Sequence, residues 1–103
     1  MRLANDRLIQ LTFRQGQKND SDHFSIYQAG ELVTSTQFCF RVPKKFGTAP
    51  CRNRIKRLMR EFVRTNKELW PMATAIILSP KTGAAALSFQ QVSTELKQIF
   101  AHE

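Results

Sequence analysis

From Cys51 to Trp70, between Pro50 and Pro71, no glycine or proline interrupts the chain. A proline inside a helix costs about 3 kcal/mol, so the two prolines bracket a natural helical segment. The spacing predicts a helix over Arg52–Leu69. At about 100° per residue, Ile55, Leu58, Met59, Phe62 and Leu69 fall on one arc. Arg52, Lys56, Arg57, Arg60, Arg64 and Lys67 fall on the other side. Such a helix must bury one stripe in a core and leave a row of cations open to a partner. Any fold for this chain has to meet both demands.

The rest of the composition sharpens that constraint. At 103 residues with 42% hydrophobic residues and eight Phe, the chain suits a single domain, 1–103, with one modest core. The formal net charge is +8, and residues 41–64 alone hold nine basic residues against the single acid Glu61. A solvated helix face normally interleaves both signs; a concentrated positive field instead suits a polyanion, nucleic acid first. No apolar run approaches the ~20 residues that span a bilayer, and the apolar face of the basic helix is needed for the core rather than for a membrane surface, so no membrane partner is expected. Residues 1–15 carry Asp6 and three arginines, which excludes a signal-peptide core. Cys39 and Cys51 give neither a disulfide framework nor a zinc-binding spacing, so a reducing, cytoplasmic setting is expected.

The flanking segments supply the scaffold. Asn5 can cap a first helix over residues 5–15, with Asp6 in its first turn and Gly16 as its stop. Leu8, Ile9, Leu11, Thr12 and Phe13 give that helix a broad apolar face. Residues 17–22 are expected to be a polar connection. His23–Ala29 and Leu32–Val42 alternate as strands, the second with Phe38, Phe40 and Val42 on one face and Cys39 and Arg41 on the other. Residues 44–50 are expected to form a loop with a short edge strand, and 74–79 a buried strand. Ser88 and Gln91 match a capping box before a last helix carrying Phe89, Val92, Leu96 and Ile99 or Phe100. The order is α-β-β-(β)-α-β-α, an α+β sandwich. A helix starting at Arg52 would place Arg52, Asn53 and Arg54 in its first turn, against the dipole, and an anion docked on the free N–H groups there would relieve the conflict.

Residues 44–61, Lys-Lys-Phe-Gly-Thr-Ala-Pro-Cys-Arg-Asn-Arg-Ile-Lys-Arg-Leu-Met-Arg-Glu, resemble the signature of the bacterial ribonuclease P protein component. That signature is a Lys-Lys-x-Gly-x-Ala loop running into Arg-Asn-Arg-x-Lys-Arg and a following Arg-Glu. Arg2-Leu3, Phe13 before Gly16, and Phe24-x-Ile26-Tyr27 also fall where the family has equivalents. An ordered run of about ten defined positions rarely matches by chance.

The resemblance implies an α-β-β-β-α-β-α sandwich of the ribosomal protein S5 domain 2-like type, with a left-handed βαβ crossover against the usual right-handed rule. It implies a role in maturing the 5′ end of tRNA, in which a large RNA subunit with bound Mg2+ hydrolyses the phosphodiester. The protein, with no catalytic residue and no tightly bound metal of its own, would bind that RNA and the 5′ leader of precursor tRNA as a monomer in a 1:1 complex. Arg52, Asn53, Arg54, Lys56, Arg57, Arg60 and Arg64 would contact the RNA subunit. Phe13, Tyr27, Arg41, Lys44 and Lys45 would line a leader cleft between the first helix and the sheet, by base stacking and phosphate tracking. Tyr27 lies on the strand face opposite Phe24 and Ile26, as a cleft residue should. Where the family usually has a second aromatic, one turn before Phe13, this chain has Ile9. Ser79-Pro80 precedes Lys81 where an Arg often follows the last strand, and Pro43 and Pro50 remove backbone donors.

Two other readings share some of these features. A protein-only nuclease needs several clustered carboxylates to hold magnesium, and Asp20 and Asp22 are a poor pair for that. His23 and His102 are isolated in sequence, and Cys39 sits within an apolar Phe-Cys-Phe. A generic RNA-binding or ribosome-associated module shares the basic helix; only the order of residues in 44–61 separates it.

Overall fold

A computed structural model describes residues 5–101. Arg2, Leu3 and His102 lie outside the described residues. The chain runs α1 (Asp6–Gln15), β1 (Gln17–Asp20), β2 (Phe24–Gly30), β3 (Gln37–Phe40), α2 (Ala49–Thr65), β4 (Thr74–Pro80) and α3 (Phe89–Ala101), with short 3-10 turns at Lys44–Phe46, Lys67–Leu69 and Thr82–Ala86. The sheet order is β1-β2-β4-β3. β2 pairs antiparallel with β1 and with β4, whereas β3 runs parallel to β4 and reaches it through α2.

The two faces of the sheet are covered differently. Phe24, Ile26, Phe38, Ile76 and Leu78 pack with Ile55, Met59, Phe62 and Val63 of α2 and with Val92, Leu96 and Phe100 of α3. On the other face Ala75 and Ile77 are buried against Leu8 and Ile9 of α1, with Tyr27 and Cys39 beside them. β4, buried on both sides, is accordingly an almost continuous apolar run.

Local chemistry explains the boundaries. The Asn5 side chain accepts the Arg7 and Leu8 N–H groups, and Ser88 and Gln91 exchange the two bonds of a capping box. Gly16 follows α1 with an extended backbone at a place where a side chain would not fit: a Cβ there would overlap the Thr12 carbonyl oxygen and lie 2.9 Å from that of Gln28.

Four expectations need correction. Gln17–Asp20 is a strand, not a connection; an exposed edge needs no apolar alternation, so its sequence carries no strand signal. The segment expected as a strand over Leu32–Val42 pairs only at Gln37–Phe40, because Thr36 turns away to donate its hydroxyl to the Pro71 carbonyl. Residues 44–46 form a 3-10 turn that buries Phe46 rather than an edge strand. The central helix starts at Ala49, capped by Thr48 with Pro50 in its first turn, and ends at Thr65, where Asn66 and the Trp70 indole take the Phe62 and Val63 carbonyls.

Candidate nucleic-acid interface

The earlier start of α2 changes what its N-terminus can do. Pro50 has no N–H, Cys51 N–H is directed at the Thr48 hydroxyl, and Arg52 N–H already donates to the Thr48 carbonyl at 2.9 Å. The open N-terminal amides expected around Arg52 are therefore not available to an anion. What α2 offers is its side-chain face.

With Ile55, Met59, Phe62 and Val63 turned into the core, Asn53, Arg57, Arg60 and Arg64 are exposed and Arg52 and Lys56 half-buried. Lys67 stands off the helix in the 3-10 turn that follows it. Two of the expected contact residues have partners within the protein. Glu61 holds Arg64 through Nη2 at 2.6 Å and Nε at 3.3 Å, and this raises the already high pKa of the guanidinium. Arg54 points along the protein instead of outward. Its Nη2 donates to the Leu87 carbonyl at 2.8 Å and its Nη1 to that of Ala85 at 3.4 Å, fastening the segment before α3 to α2.

A second set of residues gathers on the α1 face of the sheet. Phe13, although on the apolar side of α1, is 39% exposed, so it is not a core residue. Its ring meets that of Tyr27 edge to face, with centroids 4.7 Å apart. Arg41 lies over the Phe13 ring at 5.5 Å and Lys18 over the Tyr27 ring at 5.6 Å. Phe13, Ser25, Tyr27, Arg41, Val42 and Ser79 line most of a cavity of about 190 Å³. Lys44 and Lys45, both exposed, follow Pro43 at its rim. Ile9, at the family's second aromatic position, is packed beside Ala75 and Ile77.

Sequence reasoning missed Lys18, Asp20 and Lys81 at this site. Lys18 pairs with Tyr27 and Asp20 with Ser25 across β1 and β2, so both became visible only once β1 was recognised as a strand. Asp20 accepts the Ser25 hydroxyl at 2.6 Å and lies 3.8 Å from Lys18 and 3.7 Å from Lys81. The Ser25 hydrogen bond and then the two lysines hold its carboxyl below the usual range.

At the far end of β1 and β2, Glu95 of α3 accepts the Ser21 hydroxyl, the His23 backbone N–H at 2.6 Å and His23 Nδ1 at 2.7 Å. His23 is thus tied into a staple between α3 and the β1–β2 turn. Among the described residues, no three His, Cys, Asp or Glu side chains are grouped to hold a metal ion, and no helix is long and apolar enough to cross a membrane.

Comparison with known proteins finds relatives in sequence and in fold. A protein of Geobacter sp. (strain M21), "Ribonuclease P protein component", is 44% identical over 91 residues, covering 87% of this chain and 78% of that one. The protein component from Syntrophus aciditrophicus is 31% identical over 91 residues, covering 88% and 76%. Among solved structures, the RNase P protein from Thermotoga maritima superposes with a TM-score of 0.90 at 25% identity, over 100% of this chain and 97% of that one. The Staphylococcus aureus RNase P protein shares the fold at a TM-score of 0.88 and 24% identity, over 98% and 93%. The family model for Ribonuclease P matches residues 1–103, and the chain belongs to the family of ribonuclease P protein components.

Proposed function

We propose that this protein works on both faces at once, holding the catalytic RNA of ribonuclease P with α2 and the single-stranded 5′ leader of precursor tRNA in the α1 cleft. As a member of its family, the chain is the protein subunit of the ribonucleoprotein endonuclease that processes tRNA. The observation that carries the finer reading is the separation of two chemistries. Among the described residues, α2 presents a row of exposed and half-buried cations, whereas the cation–ring contacts are both at the α1 cleft. Structured RNA presents mainly phosphates and 2′-hydroxyls, which suit the first; unstacked bases suit the second.

In this reading Arg52, Asn53, Lys56, Arg57 and Arg60 contact the RNA subunit directly, Arg64 joins them after leaving Glu61, and Arg54 supports the face from within. Phe13 and Tyr27 stack on leader bases, while Arg41, Lys44 and Lys45, with Lys18, follow its phosphates. Magnesium bound by the RNA supplies the hydrolytic chemistry. The protein's part is to bind, to orient the leader and to neutralise phosphate charge, as one copy per RNA in the cytoplasm.

Reconstitution with a candidate ribonuclease P RNA at low magnesium tests this. Added protein should stimulate cleavage of precursor tRNA, and Arg52→Ala together with Arg57→Ala should weaken RNA-subunit binding. Absence of stimulation would leave a generic RNA-binding module as the better description, and cleavage by the protein alone would make it a nuclease.

A further inference from the structure

Beyond its ladder with β2, β1 is held by its ends. All four of its residues are exposed, so no buried side chain fixes its register. In a strand that is polar on both faces, a slip of one residue costs little packing and turns every side chain to the other face of the sheet. The observed register puts Lys18 opposite Tyr27, its Nζ 5.6 Å from the ring centroid, and Asp20 opposite Ser25. A slip would carry Lys18 out of the α1 cleft. At the start of β1 the close approach of Gly16 to the Gln28 carbonyl sets the path; at the other end the β1–β2 turn must do so.

That turn is fastened from outside the hairpin. Glu95 of α3 accepts the Ser21 hydroxyl and the His23 N–H through Oε2, and His23 Nδ1 lies 2.7 Å from its Oε1. An ionised carboxylate only accepts, so Nδ1 carries the proton. The Ser21 oxygen in turn accepts the Phe24 N–H at 3.2 Å. The His23 ring is seated against Gly83, where a Cβ would come within 3.2 Å of ring Cδ2. From the other side Lys81 donates its backbone N–H to the His23 carbonyl at 2.8 Å and its Nζ to the Ser21 carbonyl at 2.7 Å. One carboxylate on α3 thus gathers three donors of a turn whose strand has no core residue of its own. Glu95 lines a concavity between α3 and this turn, and not the cleft.

We propose that Glu95 is a positioning residue for leader binding: by fixing the β1–β2 turn it sets the register of β1 and so holds Lys18 over Tyr27 at the cleft. This rests on the reading of the α1 cleft as the leader site, and it adds a residue from the helix that covers the other face of the sheet. The sign of the effect is diagnostic. Removing a carboxylate makes the protein more positive, which by long-range electrostatics alone strengthens RNA binding. Positioning demands the opposite at the leader.

The first test uses the holoenzyme reconstituted from this protein and its RNA subunit, in which the gain in affinity of precursor tRNA over mature tRNA reads leader binding. Glu95→Ala should reduce that gain about two- to fivefold, the range of a single exposed charge contact, while affinity for the RNA subunit is kept. Lys18→Ala should do the same, and the double variant should lose no more than either alone, because both act through one contact. Glu95→Gln, which keeps a carbonyl oxygen for the turn, should fall between. Melting curves set a temperature at which the variants are folded, and Glu95→Gln decides if Glu95→Ala does not fold. The second test uses the free protein with 3-fluorotyrosine at Tyr27, the one tyrosine of the chain. Its fluorine resonance should move in Glu95→Ala towards the position it takes in Lys18→Ala. A gain that is unchanged or larger in the Glu95 variants, additive losses in the double variant, or an unmoved resonance overturns the proposal. Tyr27→Ala separates it from the reading beneath. If that variant reduces the gain while the Glu95 variants do not, the leader cleft stands and the positioning role falls. If Tyr27→Ala leaves the gain unchanged, both fall.

Discussion

Replacing Arg54 by Met removes the guanidinium and keeps most of the aliphatic stem, so the change isolates two hydrogen bonds. The bond to Leu87 O at 2.8 Å is short and partly buried; the one to Ala85 O at 3.4 Å is at the limit of a useful interaction and exposed. A hydrogen bond involving a charged group contributes about 1.5–3 kcal/mol when well made, and partial exposure reduces that. Only the Leu87 bond counts fully, which gives a loss of about 1.5 kcal/mol on these figures. For a domain of this size, 1 kcal/mol lowers the melting temperature by about 4–8 °C, so the midpoint should fall by roughly 6–12 °C. Thermal unfolding followed by circular dichroism measures it. The companion measurement is the salt dependence of RNA binding. Arg57→Ala should reduce the slope of log K against log salt by about 0.7–0.9, whereas Arg54→Met, measured at a temperature where it remains folded, should leave it close to that of the unaltered protein. An Arg54→Met protein that melts normally and flattens the slope would refute an inward role for Arg54 and return it to the RNA-facing set.

Gly16→Ala should destabilise the fold by about 2–4 kcal/mol, because the nearest atoms its Cβ would meet belong to the backbone carbonyls of Thr12 and Gln28, which cannot step aside; urea unfolding reads this. Glu61→Gln should release Arg64 and strengthen binding to the RNA subunit, with a steeper salt slope; an unchanged slope would mean that Arg64 does not reach the RNA. Burial opposes ionisation of Glu95, but hydrogen bonds from Ser21 and from the His23 ring and backbone outweigh it, and its carboxyl lies below the usual value. Its contribution to stability should thus be complete above its unfolded-chain value of about 4.3 and lost as the pH falls through the lower folded value. Glu95→Gln should flatten that part of the stability–pH curve.

Legibility in the sequence followed how local the determining interactions are. The caps at Asn5 and Ser88, the apolar run of β4 and the two faces of α2 depend on residues a few positions apart, and all of them stand in the structure. β1 depends on Tyr27 and Gln28 across a hairpin, and its own Gln-Lys-Asn-Asp has no pattern that reports it. Pro50 can end one element or begin the next, and only the Thr48 cap settles which. The basic and aromatic parts of the site were visible as residue types and as a family signature. The inward turn of Arg54 and the Glu61–Arg64 pair were not, because they are decided by which groups lie within reach of a long side chain.

The position of β4 has a consequence for how this chain comes to be folded. It is the penultimate helix or strand to be synthesised, yet it lies in the middle of the sheet, joining β2 to β3 across separations that reach 56 residues between Phe24 and Pro80. On the ribosome, α1, β1 and β2 can associate early, but α2 emerges before β4 and α3, which complete the cover of its apolar stripe. Loop closure must precede the contacts that reward it, so sheet completion is the slow event. Until then the apolar stripe of α2 has an incomplete core to enter, and the cations on its opposite face, repelling those of other copies, help to keep such chains apart.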